Sequence, residues 1–298
     1  MNQLSDKLVT HLKQFKHMAI AFSGGVDSTV VAKAAYLAVE EANRFSSTSS
    51  NNGKRDAYKA IAITADSPSV PRSEIESCIQ IAQEIGIEHR IVSTDEFQNP
   101  SYLQNDGSRC YFCKSTLYQR ISKELSTDSQ WIICSGANLD DLGDYRPGLT
   151  AAAELGIRHP LIEVGFRKAE IRELASYWQL PNADKPASPC LSSRIVPGVM
   201  VTRDRVAKIE AAEAWLVDQG LTNCRVRLHE NDLARIEIPI DQIPRFAIDP
   251  LRSQLVDFFR QLGFAWVTID FNGLQSGGMN HLIPLEIKQK FTKIPNPF

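Results

Sequence analysis

Ser23-Gly24-Gly25-Val26-Asp27-Ser28 joins an apolar run, Ala19-Ile20-Ala21-Phe22, to a second set, Val30, Val31, Ala34, Ala35 and Ala38, that recurs at helical spacing. That order predicts a buried strand, a glycine turn and the first turn of a helix. A helix start leaves its amides unpaired and presents the positive end of the macrodipole, so it attracts an anion. Gly24 and Gly25 let the backbone bend and approach a phosphate without a Cβ in the way. No lysine closes the turn, which separates it from the phosphate loops that end in Gly-Lys-Ser/Thr. An ordinary turn capped by Ser23 or Asp27 would need no ligand. Two glycines, an acid and a hydroxyl in this order, directly after a buried strand, favour a phosphate site.

Cysteine supplies a second chemistry. Arg109-Cys110-Tyr111-Phe112-Cys113-Lys114 holds a Cys-x-x-Cys, which alone reads as half a zinc site, a redox pair or two cysteines on one helix. A four-cysteine zinc site needs a second close pair, and Cys78, Cys134, Cys190 and Cys224 supply none. A thioredoxin-like pair would follow the first strand of its fold, and this one does not. With one distant cysteine added, three thiolates can hold a 4Fe–4S cluster and leave one iron open to an outside ligand. Cys190 is the candidate third. In Lys185-Pro186-Ala187-Ser188-Pro189-Cys190-Leu191-Ser192-Ser193-Arg194 the prolines fix the backbone, and two nearby cations would favour the thiolate. Simple buried thiols are the plain alternative. Cys78 lies in a helical pattern and Cys134 in a buried strand, so both are expected in the core; Cys224 opens a strand with no evident partner.

Acids and arginines complete the set. Gly136-Ala137-Asn138-Leu139-Asp140-Asp141 places an amide and two acids just past a strand end. Asp140 and Asp141, like Asp27, suit Mg²⁺ on bound phosphates, which one or two carboxylates usually hold; they suit helix N-caps equally. In Arg225-Val226-Arg227-Leu228 the alternation puts both guanidiniums on one face of a strand, a bidentate phosphate clamp or a solvated sheet edge.

These residues need a frame. Leu4, Leu8, Leu12 and Phe15 predict an opening amphipathic helix, and Arg44 to Arg55 reads as a polar surface loop. Ala60–Ala65, His89–Val92 and Trp131–Gly136 read as further buried strands, and Pro71–Glu84 and Glu170–Trp178 as helices between or after them. Strands alternating with helices imply an α/β fold with a doubly wound parallel sheet, whose ligands sit outside the carboxyl ends of the strands. Ser23, Thr64 and Gly136 all fall at such ends, so one site can use all three. Past Pro197-Gly198 a second αβ pattern begins, with helices over Val206–Gln219 and Pro250–Leu262 and strands at Cys224–Leu228, Ala234–Ile238 and Trp266–Asp270. Two domains are expected, 1–196 and 197–298. A net charge of −2 gives no global pull toward nucleic acid or anionic membrane, so any anion must be held locally. The start of the chain lacks the order of a signal peptide, no apolar run reaches a membrane span, and the expected compartment is the cytoplasm with reduced thiols.

Ser23-Gly24-Gly25-Val26-Asp27-Ser28 resembles the PP-loop of the N-type ATP pyrophosphatases, which cleave ATP between the α- and β-phosphates and adenylylate their substrate. Together with Thr64-Ala65-Asp66-Ser67-Pro68, Arg109–Lys114, Gly136–Asp141 and Asp184–Arg194, it is similar to the sulfur transferases of nickel-pincer cofactor synthesis, the LarE family of PP-loop proteins. The resemblance continues through Arg225-Val226-Arg227 to Ser276-Gly277-Gly278-Met279-Asn280. The cysteine-bearing segments are its specific part, since many families share the PP-loop. One departure stands near the C-terminus, where Gly273-Leu274-Gln275-Ser276-Gly277-Gly278 replaces an expected Gly-Tyr-Arg-Ser-Gly-Ser and so lacks that arginine.

The resemblance implies that ATP, with Mg²⁺, adenylylates a carboxylate of a pyridinium dicarboxylate mononucleotide and that sulfur then displaces AMP to leave a thiocarboxylate. It implies ATP contacts from Ser23, Gly24, Gly25, Asp27, Ser28, Thr64 and Gly136, and substrate contacts from Ser193, Arg194, Arg225 and Arg227. The sulfur comes either from Cys190 itself, which would end as dehydroalanine, or from a 4Fe–4S cluster on Cys110, Cys113 and Cys190; the presence of all three favours the cluster. The partner is a small nucleotide, with a homo-oligomer expected and neither nucleic acid nor membrane. Two rivals differ in kind. A tRNA thiolase would carry a basic RNA surface, against which the pI near 6.3 argues, and a nucleotide-binding regulator would need no reactive cysteines.

Overall fold

The computed structural model describes residues 2–47, 57–125, 130–143, 145–186, 188–275 and 279–292. Its helices are α1 (Gln3–Leu12), α2 (Val26–Ser47), α3 (Arg72–Ile85), α4 (Pro100–Gln104), α5 (Arg109–Glu124), α6 (Pro147–Glu154), α7 (Pro160–Glu163), α8 (Lys168–Tyr177), α9 (Arg203–Asp218), α10 (Ile243–Phe246), α11 (Leu251–Gln261) and α12 (Leu285–Thr292). Its strands are β1 (His17–Ala21), β2 (Lys59–Asp66), β3 (Glu88–Ser93), β4 (Trp131–Cys134), β5 (Arg225–Leu228), β6 (Leu233–Glu237) and β7 (Trp266–Ile269). The chain divides into two compact units, one of Met1–Asp95, Cys110–Ser188 and Phe291–Phe298, the other of Glu96–Arg109 and Pro189–Lys290.

The first unit is built on a parallel sheet ordered β3-β2-β1-β4. Alternation along the strands sends side chains to two faces, and each face is covered. Met18, Ile20 and Ala62 pack with α1, α2, α3 and α8, while Ala19, Ile61 and Ile63 pack with Leu117, Tyr118 and Ile121 of α5 and Ala152 of α6. This is the doubly wound α/β sheet that the alternating pattern predicts. The chain runs outward from β1 through β2 to β3, then returns to the far side of β1 as β4. The order therefore reverses between β1 and β4, and the crevice at their carboxyl ends is where such sheets bind ligands. The stretch 44–55, expected as a loop, starts inside α2, which continues to Ser47; residues 48–55 lie outside the described residues.

In the second unit β5 pairs antiparallel with β6, and β6 pairs parallel with β7. Val206, Ile209, Ala212 and Leu216 of α9 are buried along with Phe259 of α11, and Trp215 stacks on Phe258 with ring centroids 5.5 Å apart. The division falls at 188/189 rather than the expected 196/197, and the second unit also takes Glu96–Arg109. Hydrogen bonding gives the reason. Asn105 Nδ2 donates to the carbonyls of Ile195, Val196 and Val199 at 3.3, 2.9 and 3.0 Å. The Gly198 amide donates to Asn105 O at 2.8 Å, the Val201 amide to Leu103 O at 2.8 Å, and the hydroxyls of Tyr102 and Ser192 meet at 2.8 Å. Buried polar groups need such partners, and these fix where the segment belongs. Among the described residues no helix is long and apolar enough to cross a membrane.

Candidate functional site

The turn after β1 is shaped by its own hydroxyls. Ser28 Oγ donates to Gly25 O at 3.0 Å and accepts the Ser23 amide at 3.2 Å, and Thr29 Oγ1 donates to Gly25 O at 3.0 Å. Gly24 has φ +67°, a left-handed conformation that favours glycine, and a Cβ there would lie 2.8 Å from Cys78 Sγ. A Cβ on Gly25 would meet nothing closer than Ser23 Oγ at 3.4 Å, so the outer side of the turn stays open. The amides of Gly24, Val26, Asp27 and Ser28 have no acceptor among the described residues. Four such donors at the start of a 22-residue helix form a concavity suited to an anion.

The end of β4 forms the other wall of the crevice. A Cβ on Gly136 would lie 2.6 Å from Ser28 N and 2.9 Å from Ser28 Cα, so only glycine lets the two backbones come this close. Asp27 Oδ1 faces Asn138 Nδ2 at 3.4 Å, and its Oδ2 receives Lys168 Nζ at 2.6 Å. Asp140 accepts the Lys168 amide at 2.9 Å and Arg167 Nη1 at 2.6 Å, and these donors hold its carboxyl below the usual range. Asp141 pairs with Arg146 at 2.9 Å and accepts the Asn138 amide at 3.1 Å. Of the three acids expected to serve Mg²⁺, Asp140 and Asp141 are thus engaged in fastening this loop. Asp27 alone stands on the turn whose amides are open.

Thr64 reaches the end of β2 as expected, but its hydroxyl is turned inward. It donates to Phe22 O at 2.9 Å and lies 2.8 Å from His89 Nε2, whose pKa burial lowers. Asn182 and Lys168 carry no sequence signal of this role. Asn182 Nδ2 donates to Gly24 O and to Thr29 Oγ1, both at 2.8 Å, and so braces the turn from 158 and 153 residues away. Only the fold brings either residue to the loop.

Among the described residues, none of the six cysteines is in a disulfide. Cys78 and Cys134 are buried as expected; burial raises the pKa of Cys78 and pushes that of Cys134 up to about 12. Burial, then Glu213, pushes Cys224 up to about 12 as well, and its Sγ lies 3.8 Å from Glu213 O. These three stay protonated and unreactive. Cys110 is exposed and Cys113 half-buried, one turn apart at the start of α5 in the first unit. Cys190 is half-buried in the second unit, at the N-cap of the short 3-10 turn Leu191–Arg194. Among the described residues no three His, Cys, Asp or Glu side chains gather as a metal site.

The cations expected to activate Cys190 are committed elsewhere. Lys185 Nζ pairs with Glu74 at 2.6 Å. Arg194 is buried, bonds both oxygens of Glu213 at 3.0 and 3.2 Å, and donates to the carbonyls of Pro189 and Cys190. Ser193 Oγ donates to Cys190 O at 2.6 Å. Arg194 and Ser193 therefore shape the backbone under Cys190 rather than offering free donors to a ligand. Arg227, expected in a phosphate clamp, forms a buried two-bond pair with Glu237 at 3.0 and 2.9 Å. Arg225 makes no ion pair among the described residues; it donates to Gln275 O at 3.0 Å, and burial followed by Arg227 and Arg194 lowers its pKa. Gln275 itself stands where the family's arginine was expected, and residues 276–278 lie outside the described residues.

Removing one member of a buried pair strands the other charge, at a cost of about 3–5 kcal/mol. Arg227→Met should therefore lower the unfolding free energy in urea titration, by less than that amount because Arg235 still reaches Glu237 at 3.2 Å. The double variant Arg227→Met/Glu237→Met should recover most of the loss, because Arg235 keeps Asp270 as a partner. A double variant no more stable than the single one would contradict this account of the pair.

The chain matches no protein-family model. It is 42% identical over 264 residues to an uncharacterized protein of Synechocystis, covering 89% of this chain and 92% of that protein. It is 34% identical over 275 residues to the pyridinium-3,5-bisthiocarboxylic acid mononucleotide synthase of Lactiplantibacillus plantarum, covering 92% of each. Among solved structures, the NMN synthetase of Francisella tularensis superposes with a TM-score of 0.45 at 16% identity, covering 62% of this chain and 74% of that one.

Proposed function

The chain belongs to the LarE family of PP-loop sulfur transferases, and from that premise we propose that it converts carboxylates of pyridinium-3,5-biscarboxylic acid mononucleotide into thiocarboxylates at the expense of ATP. The observation that carries this reading is the 34% identity to the synthase over 92% of both chains. The open amides of the turn after β1 support its first step. Ser23, Gly24, Gly25 and Ser28 bind the ATP phosphates, Gly136 lets the loops close together, and Asp27 is the carboxylate placed to serve Mg²⁺.

A carboxylate is a poor electrophile, and adenylylation cures that. A substrate carboxylate oxygen attacks the α-phosphorus, and the bond to the bridging oxygen breaks with its electron pair going to pyrophosphate. The Cys190 thiolate then attacks the acyl carbon, AMP leaves, and a thioester to the protein forms. Loss of a proton from the Cys190 α-carbon with cleavage of its Cβ–S bond releases the thiocarboxylate and leaves dehydroalanine. Arg225, free of any carboxylate partner among the described residues, is the group offered to the substrate's phosphate. Arg227 and Glu237 position the strand that carries it. The second reading of the sulfur source keeps Cys110, Cys113 and Cys190 as ligands of a 4Fe–4S cluster, which would supply an exchangeable sulfide; thiolates are the right ligand type for it. The proposed setting is a cytoplasmic homo-oligomer.

Pyrophosphate release in the presence of ATP, Mg²⁺ and the pyridinium dicarboxylate mononucleotide tests the reaction. Release with that substrate is expected, and release only with tRNA, or with no acceptor at all, would overturn it. Intact mass and iron analysis of anaerobically purified protein then separate the sulfur sources. A loss of about 34 Da per turnover, one H₂S, marks Cys190 as consumed. Iron and labile sulfide that vanish in Cys110→Ala would mark the cluster.

A further inference from the structure

A cavity of about 500 Å³ lies in the first unit between α3 and the stretch 180–185 that follows α8. Its size is that of a small-molecule site. Ile81 and Leu180, 4% and 7% exposed, give it an apolar floor. Glu84 on α3 and Asp184 on the opposite wall are exposed, and neither carboxylate has an ion pair or hydrogen bond among the described residues. The lysine of the lining, Lys185, is already paired with Glu74 at 2.6 Å and ties the two walls together, so the cavity keeps a negative balance. Asn182 lines it as well and is 4% exposed. Its Nδ2 is committed to Gly24 O and Thr29 Oγ1, while its Oδ1 is buried with no donor among the described residues. A buried acceptor left unpaired costs about 1–3 kcal/mol and calls for a partner. Both walls also brace the turn after β1. Asn182 does so through those two hydrogen bonds, and α3 does so through Cys78, beside Ser77 of the cavity, whose Sγ would lie 2.8 Å from a Cβ on Gly24.

We propose that this cavity binds an aliphatic polyamine and that its occupant tightens the turn after β1 around MgATP. Ammonium groups match the two unpaired carboxylates, methylene spacers cover Ile81 and Leu180, and an N–H is the partner that Asn182 Oδ1 lacks. An anion would face Glu84 and Asp184 with the only lysine of the lining already engaged. A purely apolar ligand would leave both acids and the amide oxygen unsatisfied. An occupant held by both walls fixes α3 and the stretch 180–185 against Gly24. The turn is then ordered before a phosphate arrives, which favours nucleotide binding. By linkage MgATP must tighten the polyamine by the same factor. The coupling rests on the ATP chemistry proposed above; the polyamine site does not.

The test titrates spermidine calorimetrically, at ionic strength matched with NaCl, into the full-length wild type and the double variant Glu84→Gln/Asp184→Asn. Without nucleotide, one site is expected in the wild type and at least about tenfold weaker binding in the variant, which loses two charge-assisted contacts. Spermidine should raise the thermal midpoint of the wild type and leave that of the variant in place. MgATP is then titrated with and without saturating spermidine. Affinity should rise at least about fivefold in the wild type. The variant, with the wild-type affinity for MgATP when spermidine is absent, controls for complexation of ATP by the polyamine. No binding to the wild type, or equal binding to the variant, would overturn the site. A MgATP affinity that spermidine leaves unchanged, or shifts equally in both proteins, would overturn the coupling. A wild type that binds spermidine but no MgATP would sink the ATP reading and leave the polyamine site standing.

Discussion

A Cys190→Ala variant is expected to go on releasing pyrophosphate while forming no thiocarboxylate. The two half-reactions use different atoms. In the proposed mechanism adenylylation uses the turn after β1, Asp27 and the substrate carboxylate, whereas sulfur transfer uses the thiol. The conformation around Cys190 does not depend on its sulfur, because the bonds that shape it run to backbone carbonyls. Ser193 Oγ and Arg194 Nη1 both donate to Cys190 O, and the Ser193 amide does so at 2.9 Å. Exchange of thiol for methyl leaves all of these in place. Single-turnover assays following pyrophosphate and product mass separately would show the split. Thiocarboxylate at the wild-type rate would remove Cys190 from the chemistry, and simultaneous loss of both products would mean that the thiol also serves the first step.

Gly136→Ala should be nearly as damaging by a purely steric route. The added Cβ would press on Ser28 N at 2.6 Å, Ser28 Cα at 2.9 Å and Asp27 C at 3.0 Å, all backbone atoms that cannot rotate aside. Overpacking of this kind costs about 1–3 kcal/mol, and relief would require α2 to move away from the loop after β4. Either way the turn after β1 loses its shape, so MgATP affinity should fall by at least about tenfold together with the thermal midpoint. Gly25→Ala supplies the contrast. Its Cβ meets only Ser23 Oγ at 3.4 Å, so the fold should keep its midpoint while a phosphate loses its close approach. Equal thermal midpoints for Gly136→Ala and the wild type would refute the steric argument.

The parallel sheet was legible because its strands are short runs of small and β-branched residues, and their hydrophobicity survives any register. Ser23–Ser28 was legible because backbone chemistry needs glycine, which the sequence displays directly. Lys168 and Asn182 were not legible, since a lysine at a helix start and an asparagine in a turn-rich stretch look like solvated surface. Arg225 and Arg227 were correctly placed on one face of a strand. The partner of Arg227 depends on the register of β5 against β6, which sets Arg225 opposite Glu237 and puts Arg227 within reach of the same carboxylate. Spacing within one strand contains no information on that register. The excursion Glu96–Arg109 was not legible either, because what attaches it to the second unit is hydrogen bonding to carbonyls 90 to 94 residues later in the chain.

That excursion decides how the protein can be divided. Cutting at the sequence's evident seam between residues 196 and 197 would leave Leu103 and Asn105 in one product and their hydrogen-bond partners Gly198, Val199 and Val201 in the other. Neither truncation would reproduce a native unit. During synthesis the same segment emerges some ninety residues ahead of its partners and waits unpaired until they follow. The backbone crosses between the units next to Cys110 and again just before Cys190, so the residues assigned to sulfur flank the joints of the chain. Each unit is discontinuous in sequence, and a fragment containing either one whole would have to be made by rejoining the chain in a new order.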